Sequence, residues 1–242
     1  MNILTTKNFG SEKLKILVYG ESGVGKTLLA KTLPGKTLVI SAEAGLLGLN
    51  NCDIDVIDVS VDDDGEIIPE TGRISRLAEI YHHLKKKETI GEYQWIFIDS
   101  LTEISENLMA NLYAQHPEKK DTLNRYGENA RRLTALVKKF RDLPFYNVVF
   151  TALSKMQGEE HGTRHHSPSV IGKTSETLPS FFDEVFFMEV EETPEGPIRV
   201  LHCDKDERFV AKDRSGLLPK KCKPDLAEIV KIIRGEQNET SE

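Results

Sequence analysis

Cysteine is scarce in this chain of 242 residues: there are three, Cys52, Cys203 and Cys222. None forms a C-x-x-C pair and the number is odd, so neither a disulfide framework nor a cysteine zinc site is expected. A basic excess is also missing. The chain carries 32 Lys and Arg against 39 Asp and Glu, a formal net charge of −7. This argues against a surface coated for nucleic acid, while leaving room for a local basic loop. Long apolar runs are absent: stretches such as WIFI are far too short to span a bilayer. The opening residues MNILTTKNFG have no apolar signal core. The expectation is a cytoplasmic protein with reduced thiols and no membrane partner. What is present, 38% hydrophobic and 29% charged residues, is enough for a real core. Residues 1–235 are expected to form one domain, with 236–242 a disordered acidic tail.

Strand and helix patterns alternate along the chain. LKILVYG (14–20), TLVIS (37–41), WIFID (95–99) and NVVFTAL (147–153) read as buried strands, and the alternating IDVIDV (54–59) as a more exposed one. Helices are predicted over 26–33, 73–87, 103–115, 123–141 and near 224–234. VDDDGEIIPETG reads as a polar turn or small hairpin. The stretch after Leu153, SKMQGEEHGTRHHSPSVIGKTSE, has almost no hydrophobic pattern and predicts a long mobile loop. DEVFFMEV (183–190) and PIRVLHC (197–203) predict a hairpin. The expected fold class is α/β: a mainly parallel sheet with helices on both faces and a C-terminal antiparallel extension.

Residues 20–27, GESGVGKT, match G-x-x-x-x-G-K-[ST] between a strand and a helix. Gly20, Glu21, Ser22, Gly23, Val24 and Gly25 would wrap their backbone around phosphate, continuing through Lys26, Thr27 and Leu28 at the helix start. Lys26 would reach the β and γ phosphates, and Thr27 would ligate Mg²⁺. Asp99 ends the WIFID strand, where a carboxylate would hold the water shell of Mg²⁺. Ser100 either assists or caps the helix that follows. The implied cofactors are ATP and Mg²⁺.

Three further features bear on what the nucleotide is for. Glu43, in VISAEAG, ends the strand after the P-loop helix. In a parallel sheet it can converge on the P-loop and polarise a water, or it simply caps an exposed turn. Thr151, Ser154 and Gln157 lie just past NVVF at the end of the fifth strand, as γ-phosphate sensors or ordinary loop polars. Lys212 and Arg214 in AKDRSG lie two apart, on one face of a strand. They suit a neighbouring subunit's phosphate, or merely blunt a charged edge.

GESGVGKT, VISAEAG, WIFIDS, NVVFTALSK and AKDRSG together resemble the RecA-type P-loop ATPases in order and spacing, over roughly residues 14–216. The pattern most resembles short phage-borne ATP-binding proteins that act as minimal RecA-like, single-strand annealing recombinases. The resemblance implies that Glu43 activates the hydrolytic water. It implies that Lys212 and Arg214 act in trans within a ring or filament homo-oligomer. It places DNA-binding loops near 114–128 and 155–175, giving single-stranded DNA as a partner and a single-strand-binding protein as a further one. The chain departs from full-length recombinases in carrying neither an N-terminal oligomerisation domain nor a C-terminal DNA-binding domain, which favours annealing over strand exchange.

The residues give this DNA reading a thin electrostatic basis. Lys155, Arg164 and Lys173 face Glu159 and Glu160, with His165 and His166 able to add charge in acid and no aromatic available for base stacking. Arg125, Arg131 and Arg132 add charge near the other segment, or form the solvated face of a helix. A zinc site from His161, His165 and His166 has no cysteine pair to support it. The leading expectation is a Mg-dependent, DNA-stimulated ATPase that promotes annealing or recombination. A P-loop small-molecule kinase, with 155–175 as a lid, and a nucleotide-gated assembly or packaging factor are the alternatives.

Overall fold

The computed structural model describes residues 13–236 apart from 44, 87, 90, 116, 118–121 and 159–163. Apolar runs with no polar face demand cover on both sides, and the central strands have it. β1 (Lys15–Gly20), β2 (Thr37–Ser41), β4 (Trp95–Asp99) and β5 (Asn147–Gly158) are parallel, and β3 (Asp55–Asp58) adds a more exposed parallel edge to β2. β7 (Glu184–Thr193) runs parallel to β1 and antiparallel to β8 (Gly196–His202). The sheet order is β10-β8-β7-β1-β5-β4-β2-β3, with β10 (Lys221–Cys222) antiparallel to β8. β6 (Arg164–Pro168) pairs with β5, and β9 (Lys212–Asp213) with β7.

Side-chain alternation splits the core in two. On one face Leu17, Tyr19, Ile40, Ile98 and Phe150 pack under α1 (Glu70–Leu84), α2 (Leu101–Gln115) and α3 (Thr122–Arg141), through Leu77, Ile104 and Leu133. On the other, Ile16, Val18, Val39, Phe97 and Met188 meet Leu29 and Ala30 after the P-loop and α5 (Leu226–Arg234). Asp225 caps α5 by accepting from the Ala227 and Glu228 amides, and Gly235 closes it in the left-handed conformation. The expected α/β architecture is present: a mainly parallel sheet, helices on both faces and antiparallel strands towards the C-terminus.

Several expectations are corrected. The P-loop helix is a short 3₁₀ segment, Thr27–Thr32, stopped by Pro34 and Gly35. α1 begins three residues before the predicted start and ends at Leu84. The larger correction lies at 155–175. β5 continues to Gly158 and turns back as β6, with Ser154 opposite Pro168 and Gly158 opposite Arg164. A short helix, α4 (Thr174–Thr177), follows. This segment lacks a hydrophobic alternation because the hairpin projects past the sheet rather than lying on the core. The tip at 159–163, with His161, is outside the described residues, as is the predicted tail from 237 onward.

No helix among the described residues is long and apolar enough to cross a membrane.

Candidate nucleotide site

The P-loop leaves β1 where Gly20 pairs closely with Met188 of β7. A Cβ on Gly20 would lie 2.2 Å from the Met188 carbonyl oxygen of β7, so glycine is required by close approach. Gly23 and Gly25 take φ of +77° and +107°, left-handed values that let the loop wrap. Inside it, Lys26 donates to the carbonyls of Gly20 (3.1 Å) and Glu21 (2.7 Å) and is buried. Burial holds the Lys26 pKa below the ordinary lysine value, against the opposing pull of Asp99, Glu43 and Glu21. The ammonium thus has carboxylates nearby and is held by two neutral carbonyls that phosphate oxygens can replace. Glu21, Ser22, Gly23 and Leu28 are exposed on the loop's open side.

Asp99 reaches the same point from β4. Its Oδ2 accepts from the Thr27 hydroxyl at 2.5 Å, and Oδ1 accepts from Thr151 Oγ1 of β5. Asp99 is buried, yet both carboxylate oxygens are satisfied. The Asp99–Ser100 peptide is cis. One hydroxyl and one fixed carboxylate beside a phosphate loop suit Mg²⁺, which keeps several waters and takes few protein ligands. Thr27 and Asp99 are the residues that would hold it, and the ion would neutralise charge on the phosphates. Thr151, one of three polar residues singled out at the end of the fifth strand, orients Asp99. Ser154 lies in the β5–β6 pairing.

Glu43 is brought to this cluster by backbone pairing. The amides of Ala42 and Glu43 both donate to the Asp99 carbonyl, at 2.6 and 3.3 Å. Ser100 Oγ donates to Glu43 Oε1 and also receives the Glu103 amide at 3.4 Å, so Ser100 both positions the carboxylate and caps α2. Lys26, Thr27, Glu43 and Asp99 therefore meet at the C-terminal edge of the sheet.

Lys212 and Arg214 do not join them. β9 pairs with the start of β7, with Glu184 opposite Asp213, and Glu184 in turn lies beside Ile16. From Ile16 to Gly20 is four strand steps, roughly 13 Å, so the K-x-R pair sits at the other edge of the sheet. Lys212 donates to the Phe182 carbonyl at 2.5 Å and Arg214 bonds Asp183 at 2.5 Å.

The DNA candidates scatter as well. Lys155 donates to the Val170 carbonyl at 3.2 Å, and burial lowers its pKa. His165 Nδ1 lies 3.1 Å from the Glu207 carbonyl. Arg164 starts β6, and Lys173 is exposed just before α4. Arg125 is buried over the Tyr113 ring at 4.2 Å, and Arg131 and Arg132 both pair with Glu128.

The structure adds residues that sequence reasoning did not single out. Arg199 Nε of β8 donates to the Val24 carbonyl at 2.9 Å, bracing the P-loop from the side. Both the β5–β6 and β7–β8 hairpins run past the C-terminal edge and flank the loop. Between them lies a cleft of about 320 Å³, lined by Glu21 to Val24, His166, Phe187, Glu189 and Val190. No sequence signal marks Phe187, Glu189 and Val190 as neighbours of the P-loop, because that meeting depends on sheet order.

A family model described as an AAA domain matches residues 12–215. The chain belongs to this AAA-domain family. Membership implies a P-loop ATPase that binds nucleotide, typically with Mg²⁺, and the Lys26, Thr27 and Asp99 geometry fits both. No curated protein matches the chain. Among solved structures, a KaiC-like protein from the hyperthermophilic archaeon Pyrococcus horikoshii OT3 is similar over 78% of each chain, at 14% identity and a TM-score of 0.44.

Proposed function

We propose that this AAA-domain protein hydrolyses ATP through a water activated by Glu43, and uses the cycle to bind single-stranded DNA and promote annealing or recombination as a homo-oligomer, consistent with a phage origin. The observation that carries the reading is the convergence of Glu43 on Asp99, Thr27 and Lys26. A second carboxylate, anchored by Ser100 and by backbone bonds to the Asp99 carbonyl, is what water activation needs and what simple nucleotide binding does not. Lys26 would shift from its carbonyl partners to the phosphates, and Thr27 from Asp99 to the metal.

Self-assembly is supported by the position of Lys212 and Arg214. Cations at the far edge of the sheet can serve a γ-phosphate only if that phosphate belongs to a neighbouring copy. Single-stranded DNA is supported by the β5–β6 hairpin overhanging the nucleotide edge, with Arg164 and His165 on its returning strand. Lys155 instead anchors the hairpin base through Val170. A single-strand-binding protein would be an additional partner.

The deciding experiment is ATP turnover with and without single-stranded DNA, with the products resolved. Stimulated release of inorganic phosphate supports the reading. Transfer of phosphate to a small acceptor, with no response to DNA, would replace it with a kinase.

A further inference from the structure

β7 carries Glu189 and Glu191 two residues apart, so both project from one face of the overhanging β7–β8 hairpin. His202, at the end of β8, pairs with Phe187 and places its ring beside theirs. Its Nε2 lies 2.6 Å from Glu189 Oε1 and 3.4 Å from Glu191 Oε1. The three potential ligand atoms all fall within 4.8 Å of one another. His202 is only 3% exposed, and its ring packs against a stacked aromatic pair, Phe209 at 4.4 Å and Phe187 at 6.0 Å between ring centroids.

We propose that Glu189, Glu191 and His202 form a site for a divalent transition-metal ion of the zinc class, distinct from the Mg²⁺ position at Thr27 and Asp99. Metal–ligand bonds of about 2.0–2.2 Å put ligand atoms about 3.0–3.5 Å apart around one ion. The His202–Glu191 spacing already lies in that range, and the His202–Glu189 pair need open by only about half an ångström to reach it. One imidazole nitrogen with two carboxylates is a mixed set that favours zinc, cobalt or nickel over magnesium, which prefers oxygen alone. The aromatic pair fixes the ring and excludes water from one side of the ion, so the charge of both carboxylates is felt more strongly.

The neighbouring cation fits the same picture. Lys221, on β10 directly opposite His202, places its ammonium 2.5 Å from Glu191 Oε1. Its side chain is about half exposed on a flexible stem, so an incoming ion can displace it to solvent. Glu189 also lines the cleft shared with Glu21 to Val24 and His166, so the site lies beside the P-loop's open side. β7 and β4 are three strand spacings apart in the sheet, roughly 14 Å, so one ion cannot serve both sites.

The test uses the full chain, stripped with chelator and titrated with Zn²⁺ alone at pH 7.5 without nucleotide. The expected result is one retained Zn²⁺ per chain with a raised melting temperature. Glu189→Gln and Glu191→Gln should each weaken binding at least tenfold. His202→Gln should abolish it. If that buried substitution unfolds the protein, the glutamine variants at the two half-buried glutamates carry the decision. Lys26→Ala should bind Zn²⁺ normally, and so should a Cys203→Ser, Cys222→Ser double variant. No retained zinc, retention unaffected by the glutamate variants, or loss in the cysteine variant would each overturn the proposal.

Discussion

Glu184 opens β7 at 1% exposure, directly opposite Asp213 of β9. Its Oε1 accepts the Ser215 amide at 3.3 Å, while Oε2 has no hydrogen-bond partner among the described residues. Asp213 is far better supplied, accepting from Ser215 Oγ at 2.6 Å and from the Gly216 and Leu218 amides at 2.9 Å each. The charge therefore rests on Asp213 and the proton on Glu184. Burial, reinforced by the Asp213 charge, pushes the Glu184 carboxyl up to about 8 from 4.5. Because the folded state holds this proton more tightly than the unfolded chain, the contribution to stability is complete below pH 4.5 and is lost as pH rises through 8. Between pH 5 and pH 9 the loss amounts to about 4 kcal/mol, at 1.36 kcal/mol per unit.

Glu184→Gln removes the titration and keeps the shape. Urea unfolding of both proteins at pH 5, 7 and 9 is the assay, and the difference between them is the readout. Wild type alone is a poor guide, because Lys15, lowered to about 8 by burial, gains stability above that pH and works in the opposite direction. The wild-type curve should fall relative to the variant by about 4 kcal/mol across the range. Parallel curves would refute the buried-proton reasoning. The consequence reaches beyond stability, since the turn held by this pair carries Lys212 and Arg214.

Glu43→Gln should bind ATP normally and lose turnover by roughly 10²–10⁴-fold, the usual worth of a general base; unchanged phosphate release would remove Glu43 from the mechanism. Lys212→Ala and Arg214→Ala should lower turnover without weakening ATP binding. Mixing either with a Lys26→Ala protein should restore part of the activity, whereas a fully active monomer would exclude action in trans. Gly20→Ala should destabilise the fold by about 1–3 kcal/mol by driving β1 from β7, and a melting temperature equal to wild type would show that the strands can part there at no cost.

The sequence by itself determined the features that depend on neighbours along the chain. The P-loop needs its glycines, lysine and threonine at fixed offsets, and buried parallel strands need unbroken apolar runs. β2 and β4 accordingly appear at the predicted residues. The strand-end positions of Glu43 and Asp99 followed, because a parallel sheet gathers its C-terminal ends on one edge. Tertiary structure alone decided the rest. The polar segment after Leu153 contains no pattern that reports a hairpin, since β6 finds its backbone partners in β5 and buries only part of its side chains. Lys155 reads as a free cation until the fold sets the Val170 carbonyl beside it. Lys212 and Arg214 read from the sequence as a cation pair on one strand face, and only strand register sets that pair at the edge opposite the P-loop. Glu184, Asp213, Glu189, Glu191 and His202 acquire their chemistry only through cross-strand pairing, which joins residues whose separation in sequence carries no signal.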